Sequence, residues 1–237
     1  MARRRWIADE VAGDLAFLLG KNADHLSRVL RARIGQQFEI ATPSGVRLGE
    51  IVAIEPERVV FSTSDLPHRE LQHLAFQIHL YLAVFKFDRF EWAIEKCTEL
   101  GVSSIVPVIA RRTDAHLVSA SRKRVERWRR IAIEAAQQSR RDVAPAILDP
   151  EKLSDVIPTT RGNRIVLAET EHERRLTELV GQALELSLAV GPEGGWTESE
   201  LALFDKNAWL KASLGPTILR AETAAIAGLA VAQSALG

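Results

Sequence analysis

The first 65 or so residues alternate apolar and polar positions over short stretches, which is typical of β-strands. We predict strands at 37–41, 46–54 and 58–63, with a turn at 42–45 between the first two. A helical repeat of apolar residues interrupts the pattern and predicts one helix over 22–34, with Asn22 as its N-cap. Short strands with one helix predict a small barrel-like β domain.

Farther along the chain, apolar runs of strand length alternate with helical repeats. The predicted strands lie at 76–85, 104–109, 164–168, 186–190 and 208–214. The predicted helices lie at 88–100, 121–139, 173–183, from 197 onward and at 222–236. This alternation predicts an α/β fold with an open parallel sheet that carries helices on both faces. We therefore expect two domains, at 1–68 and 73–237, with a polar linker at 64–69.

Composition narrows the class of protein. The chain has 237 residues, of which 46% are hydrophobic and 26% charged, so it can bury a core and is not disordered. Its single cysteine, Cys97, excludes a disulfide framework and predicts a reducing, cytoplasmic location. No apolar run is long enough for a membrane span, and the basic start lacks the apolar segment of a secretory signal.

Opposite charges balance in number but are unevenly distributed. Lys plus Arg and Asp plus Glu are both 31, yet basic residues concentrate at 3–5, 28–33 and 111–141. Such patches favour a polyanionic partner such as RNA. We predict phosphate contacts by Arg5, Arg28 and Arg31. For 111–141, a solvated helix face is an equally good interpretation.

A glycine-rich segment, Gly191-Pro192-Glu193-Gly194-Gly195, lies between a predicted buried strand and a predicted helix. Ligands bind at the carboxyl ends of strands in open α/β sheets, and glycines allow a close backbone approach. The segment is neither a P-loop nor a dinucleotide fingerprint, and Glu193 would repel phosphates. It therefore favours a nucleotide without phosphates, or a cationic one; a tight turn without a ligand is the alternative.

A second segment, 213–224, also joins a predicted strand to a predicted helix. Its apolar residues, Leu214 to Leu219, need something to cover them, and an adenine ring would do so. Arg220 stands at the start of the helix, where the helix dipole disfavours a cation, which hints at a functional role. An ion pair with Glu222 is the structural alternative.

Metal chemistry is not expected. The six histidines show no ligand spacing, and Cys97 is predicted to be a core residue of its helix. The hydrolase motif Gly-x-Ser-x-Gly is absent from the sequence.

Taken together, several motifs resemble the ribosomal RNA small subunit methyltransferase E family of the SPOUT superfamily, in both order and spacing. They lie at 5–6, 25–31, 95–102, 105–107, 127–128, 134–140, 191–195, 214–216 and 218–224. The resemblance covers nearly the whole chain. One departure is Thr217, where the family usually has arginine.

The resemblance implies an N-terminal PUA-like RNA-binding domain and a SPOUT-type parallel sheet with a C-terminal trefoil knot. It also implies a homodimer, S-adenosylmethionine as methyl donor, and methylation of N3 of a uridine in 16S ribosomal RNA of the small subunit. The residues that it places against the cofactor are Leu167, Ala168, Glu169, Val190, Gly191, Gly194, Gly195, Leu214, Gly215, Ile218 and Leu219.

The implied reaction also assigns roles to charged residues. Uridine N3 must lose a proton, so we expect Arg220 to stabilise the developing anion and either Glu193 or Glu222 to accept the proton. Two other functions stay open: another SPOUT methyltransferase acting on ribose 2′-O or on transfer RNA, and a non-catalytic RNA-binding assembly factor.

Overall fold

The computed structural model describes residues 5–65, 76–181 and 184–236. The chain forms two compact units, each built from two segments. The first contains Met1–His73 and Ala136–Ala144, and the second contains Leu74–Ala135 and Pro145–Gly237. The boundaries that we predicted did not anticipate that 136–144 belongs to the first unit. Of the predicted linker, Ser64 and Asp65 end a strand, and residues 66–69 lie outside the described part of the chain.

A six-stranded sheet forms the first unit. Its strands are β1 (Arg5–Ile7), β2 (Glu10–Ala12), β3 (Leu15–Leu19), β4 (Gln37–Thr42), β5 (Gly45–Glu55) and β6 (Arg58–Asp65). The spatial order is β1-β4-β5-β6-β3-β2, and the pairs are antiparallel except for β1 with β4. The strands predicted from alternation correspond to β4, β5 and β6, whereas β1 to β3 are short and were not predicted.

The helix predicted over 22–34 is shorter than expected. Helix α1 (Gly20–Asp24) continues into one π-helical segment, His25–Val29, and the chain leaves helical geometry at Arg31, whose φ is 51°. Asn22 lies inside α1 and is not its N-cap. Ile34 is 67% exposed, because the apolar repeat beyond residue 26 is not buried against the sheet.

Arg5 is a structural residue of this unit and not an exposed phosphate contact. Its side chain is only 2% exposed, and its guanidinium pairs with Glu39 at 3.0 Å and with Asp142. It also donates a hydrogen bond to the carbonyl of Arg140. These contacts attach the 136–144 segment to β1 and leave the charge of Arg5 neutralised. The rest of that predicted basic cluster, Arg3 and Arg4, lies outside the described residues.

We predict that Arg5→Ala lowers the free energy of unfolding by about 3 kcal/mol, since two partly buried carboxylates lose their cation. Arg47→Ala is the matched control, because Arg47 pairs with Asp14 and Asp65, which are both largely exposed. That variant should lose less than about 1 kcal/mol. Urea unfolding measures both. If the Arg5→Ala protein is as stable as wild type but binds RNA more weakly, Arg5 is an RNA contact and not a structural residue.

The second unit contains a seven-stranded sheet, whose pairs are all parallel. Its strands are β7 (Gln77–Ala83), β8 (Ser104–Ile109), β9 (Ala146–Ile147), β10 (Glu151–Lys152), β11 (Asn163–Leu167), β12 (Glu185–Val190) and β13 (Leu210–Ala212). The order is β10-β8-β7-β12-β11-β13, and β9 pairs with β8. The predicted α/β fold with a parallel sheet is therefore confirmed.

Helices connect these strands. They are α2 (Phe87–Glu99), α3 (Ala115–Gln138), α4 (Leu153–Val156) with a 3₁₀ turn at Ile157–Thr159, α5 (Leu176–Leu179), α6 (Glu198–Lys206) and α7 (Ala221–Leu236). Helix α3 begins earlier than predicted. The helix predicted at 173–183 shrinks to α5, because Arg174 and Arg175 pair in an extended form with Ser213. Residues 182–183 of that prediction lie outside the described chain.

Both faces of this sheet are buried, which explains the continuous apolar runs in its strands. Leu80 and Leu82 of β7 belong to the cluster that includes α2 and α7, whereas Tyr81 and Ala83 pack with the cluster that includes α6. Cys97 lies in the first cluster, as predicted, and burial raises the pKa of its thiol to about 12. The thiol therefore stays neutral and is an inert packing group.

Candidate active site

Three loops meet at one edge of the parallel sheet. Strand β11 lies between β12 and β13 and pairs with both in parallel, so the carboxyl ends of all three point the same way. The loops that follow these strands surround a cavity of about 520 Å³. This position is where open α/β sheets bind ligands.

Every residue that we predicted to bind the cofactor lines this cavity, and Glu193 and Thr217 line it too. Among the lining residues that were not predicted are Arg112, Thr170, His172, Trp196, Ser213 and Ala221. Nothing in the sequence indicated that Arg112 lies at the cavity. It follows β8, far along the chain from the other lining residues, and only the folded structure brings it next to them. Trp196 directly follows the glycine-rich segment, and this position in the sequence could have indicated that it lines the cavity.

The glycine-rich loop after β12 folds back on the indole of Trp196. A Cβ at Gly191 would lie 3.2 Å from the Trp196 ring, so a side chain there would displace the ring. The indole nitrogen donates to the carbonyl of Leu167 at 3.1 Å, which attaches the loop to the end of β11. Gly195 adopts a φ of 68° and donates its N–H to the Pro192 carbonyl at 2.8 Å. The loop is therefore a tight turn that also lines a cavity.

The loop after β13 is held at its base and open at its tip. Backbone bonds join Ser213 to Arg174 at 2.9 Å and to Leu176 at 3.1 Å. The N–H of Gly215, whose φ is 146°, donates to the Ser213 hydroxyl at 3.1 Å. Ile218 lines the cavity and is nevertheless 80% exposed. An exposed apolar side chain beside a cavity suits a ligand that covers it.

Arg112 is fixed at the rim of the cavity. Its guanidinium donates to the carbonyl of Gly194, and its Cδ would lie 3.1 Å from a Cβ at that glycine. The preceding residue, Arg111, donates its backbone N–H to Glu200 at 2.7 Å. Glu200 is buried and completes the capping box of α6 with Thr197. The loop after β8 is thus attached to the start of α6.

The two candidate proton acceptors occupy different places. Glu193 lines the cavity and accepts a hydrogen bond from Arg89 at 2.9 Å. Glu222 is 5% exposed and does not belong to the cavity wall, so its predicted role as proton acceptor is wrong on geometry. Arg220 is exposed, lies between two lining residues, and makes no side-chain hydrogen bond or ion pair within the described chain.

A carboxylate orders the loop after β11. The Glu171 side chain accepts from the backbone N–H and the guanidinium of Arg174 and from the backbone N–H of Glu173. These bonds lower the pKa of Glu171 to about 2, so it remains ionised over the whole physiological range. The neighbouring cavity residues Thr170 and His172 are held by this turn.

Several arginines in the basic run at 111–141 form ion pairs. Arg124 and Arg127 both pair with Glu91, at 3.2 and 2.8 Å, and Arg129 pairs with Asp149 at 3.0 Å. This arrangement supports the interpretation of an ionic helix face over that of a continuous RNA-binding surface.

Residues 5–65, 76–181 and 184–236 contain neither a membrane-spanning helix nor a cluster of metal ligands. No helix in these ranges has the length and apolar character to cross a membrane. No group of three or more His, Cys, Asp or Glu side chains in them could hold a metal ion.

The model of an RNA methyltransferase domain family matches residues 72–233, the range that contains the parallel sheet and its cavity. Ribosomal RNA small subunit methyltransferase E of Aquifex aeolicus is 35% identical over 220 residues, covering 92% of this chain and 94% of that protein. The chain belongs to the ribosomal RNA small subunit methyltransferase E family.

Solved structures agree with this assignment. The Neisseria gonorrhoeae ribosomal RNA small subunit methyltransferase E bound to S-adenosyl methionine has a TM-score of 0.85 at 26% identity, covering 98% of this chain and 97% of that one. A Legionella pneumophila protein, described as a methyltransferase and solved with bound SAM, has a TM-score of 0.89 at 27% identity, covering 99% and 98% of the two chains.

Proposed function

We propose that this protein transfers a methyl group from S-adenosylmethionine to N3 of a uridine in 16S ribosomal RNA, in the cytoplasm. The proposal rests on one observation: the loops that follow three parallel strands surround one cavity, in a chain that belongs to the ribosomal RNA small subunit methyltransferase E family. No observation favours a ribose or transfer RNA target, and a non-catalytic assembly factor would have no need of the cavity.

The residues around the cavity fit S-adenosylmethionine. Gly191, Gly194 and Gly215 bring backbone close to the space, and Leu214 and Leu219 supply apolar cover for an adenine ring. Glu169 and Glu193 add negative charge, which suits a cationic sulfonium and disfavours a phosphate. Bound there, S-adenosylmethionine would supply an electrophilic methyl group.

Two side chains act on the uridine in this proposal. Glu193 faces the cavity and, within the described residues, only one of its oxygens is used, by Arg89, so the other accepts the N3 proton. Arg220, which has no ion-pair partner among the described residues, stabilises the negative charge that develops on the uracil oxygens. One such preorganised donor contributes about 3 kcal/mol.

Arg220→Ala should lower the single-turnover methylation rate roughly 100-fold, because it removes this donor, and should leave the affinity for S-adenosylmethionine nearly unchanged. Glu193→Gln should lower the rate by at least about 100-fold, since an amide cannot accept the proton. Methyl transfer from labelled cofactor to 16S ribosomal RNA measures both. Glu198→Gln, an exposed carboxylate of α6, is the control. Near-normal rates would remove these residues from the mechanism.

Gly191→Val should abolish cofactor binding, because its side chain fills the cavity edge and displaces Trp196. Calorimetry with S-adenosylmethionine measures the loss. Ala12→Val, at an exposed position of strand β2 in the first unit, is the control for adding a valine side chain away from the cavity. Equal cofactor affinity in wild type and Gly191→Val would show that the cofactor binds elsewhere.

For RNA binding we propose the exposed end of the first helical segment. Arg28 is exposed and pairs only with the neighbouring Asp24, at 3.2 Å, and Arg31 is exposed and unpaired within the described residues. Val29 and Ile34, also exposed, lie between and beside them. Cations with adjacent apolar side chains suit phosphates and unstacked bases.

Arg31→Ala should weaken RNA binding and reduce the slope of log K against log salt by about one unit, because one phosphate contact is lost. Fluorescence anisotropy with a 16S ribosomal RNA fragment at several salt concentrations measures the slope. Arg47→Ala is again the control, since Arg47 is already paired with Asp14 and Asp65. An unchanged slope would indicate that Arg31 is merely solvated.

We also propose the finer architecture implied by the family: a PUA-like first unit, a trefoil knot and a homodimer. The backbone bonds of Ser213 to residues 174 and 176 support a chain that passes close to the loop after β11. For the dimer, Ala224, Ala227 and Ala230 of α7 are only partly buried within one copy, so a second copy has small residues to pack against.

A further inference from the structure

Arg89 was not singled out by the sequence, yet it joins the two segments that frame the cavity. It lies in the first turn of α2, and its Nη1 is 2.9 Å from Oε1 of Glu193. Its Nε is 3.8 Å from Oε1 of Glu222. Glu193 belongs to the loop after β12, and Glu222 to the first turn of α7, directly after the loop of β13. One guanidinium therefore connects both segments; we call Arg89, Glu193 and Glu222 the Arg89 bridge.

The burial of Glu222 makes this bridge more than a surface ion pair. Glu222 is almost fully buried, and its Oε2 has no hydrogen-bond partner within the described chain. A buried carboxylate is costly unless a cation or several donors compensate it. Within those described residues, Arg89 is the cation that lies within ion-pair distance of it. Removing Arg89 would leave this charge uncompensated at the start of α7.

A contrasting pair lies on the same helix. Glu91 of α2 pairs with Arg127 of α3 at 2.8 Å, with the arginine half exposed, and neither residue lines the cavity. Arg127 donates two hydrogen bonds to Glu91, whose side chain is 12% exposed, so this is a well-formed ion pair that lies away from the cavity. Arg89 and Arg127 thus differ in their partners. The partners of Arg89 belong to segments that frame the cavity, and the partner of Arg127 does not.

We propose that Arg89 is a positioning residue for methyl transfer. It holds the Glu193 carboxylate at the cavity edge and locks the glycine-rich loop to the amino end of α7. The inference rests on the proposed function and deepens it, because it states that Arg89, a residue outside the cavity wall, holds the proton-accepting carboxylate in position.

The first experiment needs no cofactor and no activity. Hydrogen exchange, followed by mass spectrometry of peptides covering 191–197 and 213–222, compares Arg89→Ala, Arg127→Ala and wild type. We expect exchange in both peptides to accelerate about tenfold or more in Arg89→Ala, because local opening becomes easier, and to stay unchanged in Arg127→Ala. Unchanged exchange in Arg89→Ala, or equal acceleration in the control, would overturn the inference.

The second experiment separates positioning from simple loss of structure. In steady-state methylation of 16S ribosomal RNA, Arg89→Ala should lower kcat about 10- to 100-fold with a KM for RNA within about twofold of wild type. Arg89→Lys should recover part of kcat, since it keeps the charge but cannot reach both carboxylates in the same fork geometry. A loss confined to KM, or no recovery with lysine together with unfolding, would contradict a positioning role.

A double variant tests the coupling. If Arg89 acts by compensating Glu222, the acceleration of exchange that Arg89→Ala causes in the 213–222 peptide should be several-fold smaller in a Glu222→Gln background, because the buried charge is gone. Equal acceleration in both backgrounds would show that Glu222 plays no part. A wild-type protein that methylates no 16S ribosomal RNA, but whose loop exchange still depends on Arg89, would refute the proposed function and leave the bridge intact.

Discussion

The site depends on the parallel pairing of β11 with β12 on one side and β13 on the other. Parallel neighbours end at the same edge of the sheet, so three loops from distant parts of the chain are brought around one space. Both faces of the sheet are buried by helices, and this leaves the strand ends as the place where backbone and short loops meet a ligand. The indole of Trp196, bonded to the end of β11, then connects the loop of β12 to its neighbour.

The arginines of this protein differ in whether they pair with buried carboxylates or remain exposed to solvent. Arg5 and Arg89 both compensate carboxylates that are partly or almost fully buried, and both join segments distant in sequence: Arg5 binds the 136–144 segment to β1, and Arg89 joins the loop of β12 to α7. Arginine suits this work because its planar fork serves two acceptors at once. The exposed Arg31 and Arg220 keep their charge available, and we assign contacts with RNA to them and to the exposed Arg28.

Strand alternation and helix spacing were sufficient to predict the α/β class and most strands, because both periodicities follow directly from which faces are buried. The cavity residues were predictable for a different reason: glycines and apolar residues at strand ends, in motifs that resemble one family, mark backbone that approaches a ligand. Arg5 was assigned wrongly because clusters of arginine do not show whether a side chain is buried. The helix over 22–34 was overextended because spacing does not reveal that, of the apolar positions Leu26, Val29, Leu30 and Ile34, only Leu26 is buried.

Sequence reasoning did not predict the contacts of three charged residues at this site, which are Arg89, Arg112 and Glu222. Each owes its position to contacts across elements far apart in the chain, so no local pattern distinguishes it from a solvated charge. The sequence offered Glu222 as one of two carboxylates that could accept the proton, whereas the fold turns its side chain into the interior, next to Arg89.

The central claim is the chemical identity of the product. It is tested most directly by nucleoside mass spectrometry of ribosomal and transfer RNA from a strain lacking the gene, with and without the wild-type gene restored. The account predicts that 3-methyluridine disappears from 16S ribosomal RNA on deletion and returns on restoration. An unchanged level of 3-methyluridine, together with the loss of a ribose-methylated nucleoside or of a transfer RNA modification, would contradict it.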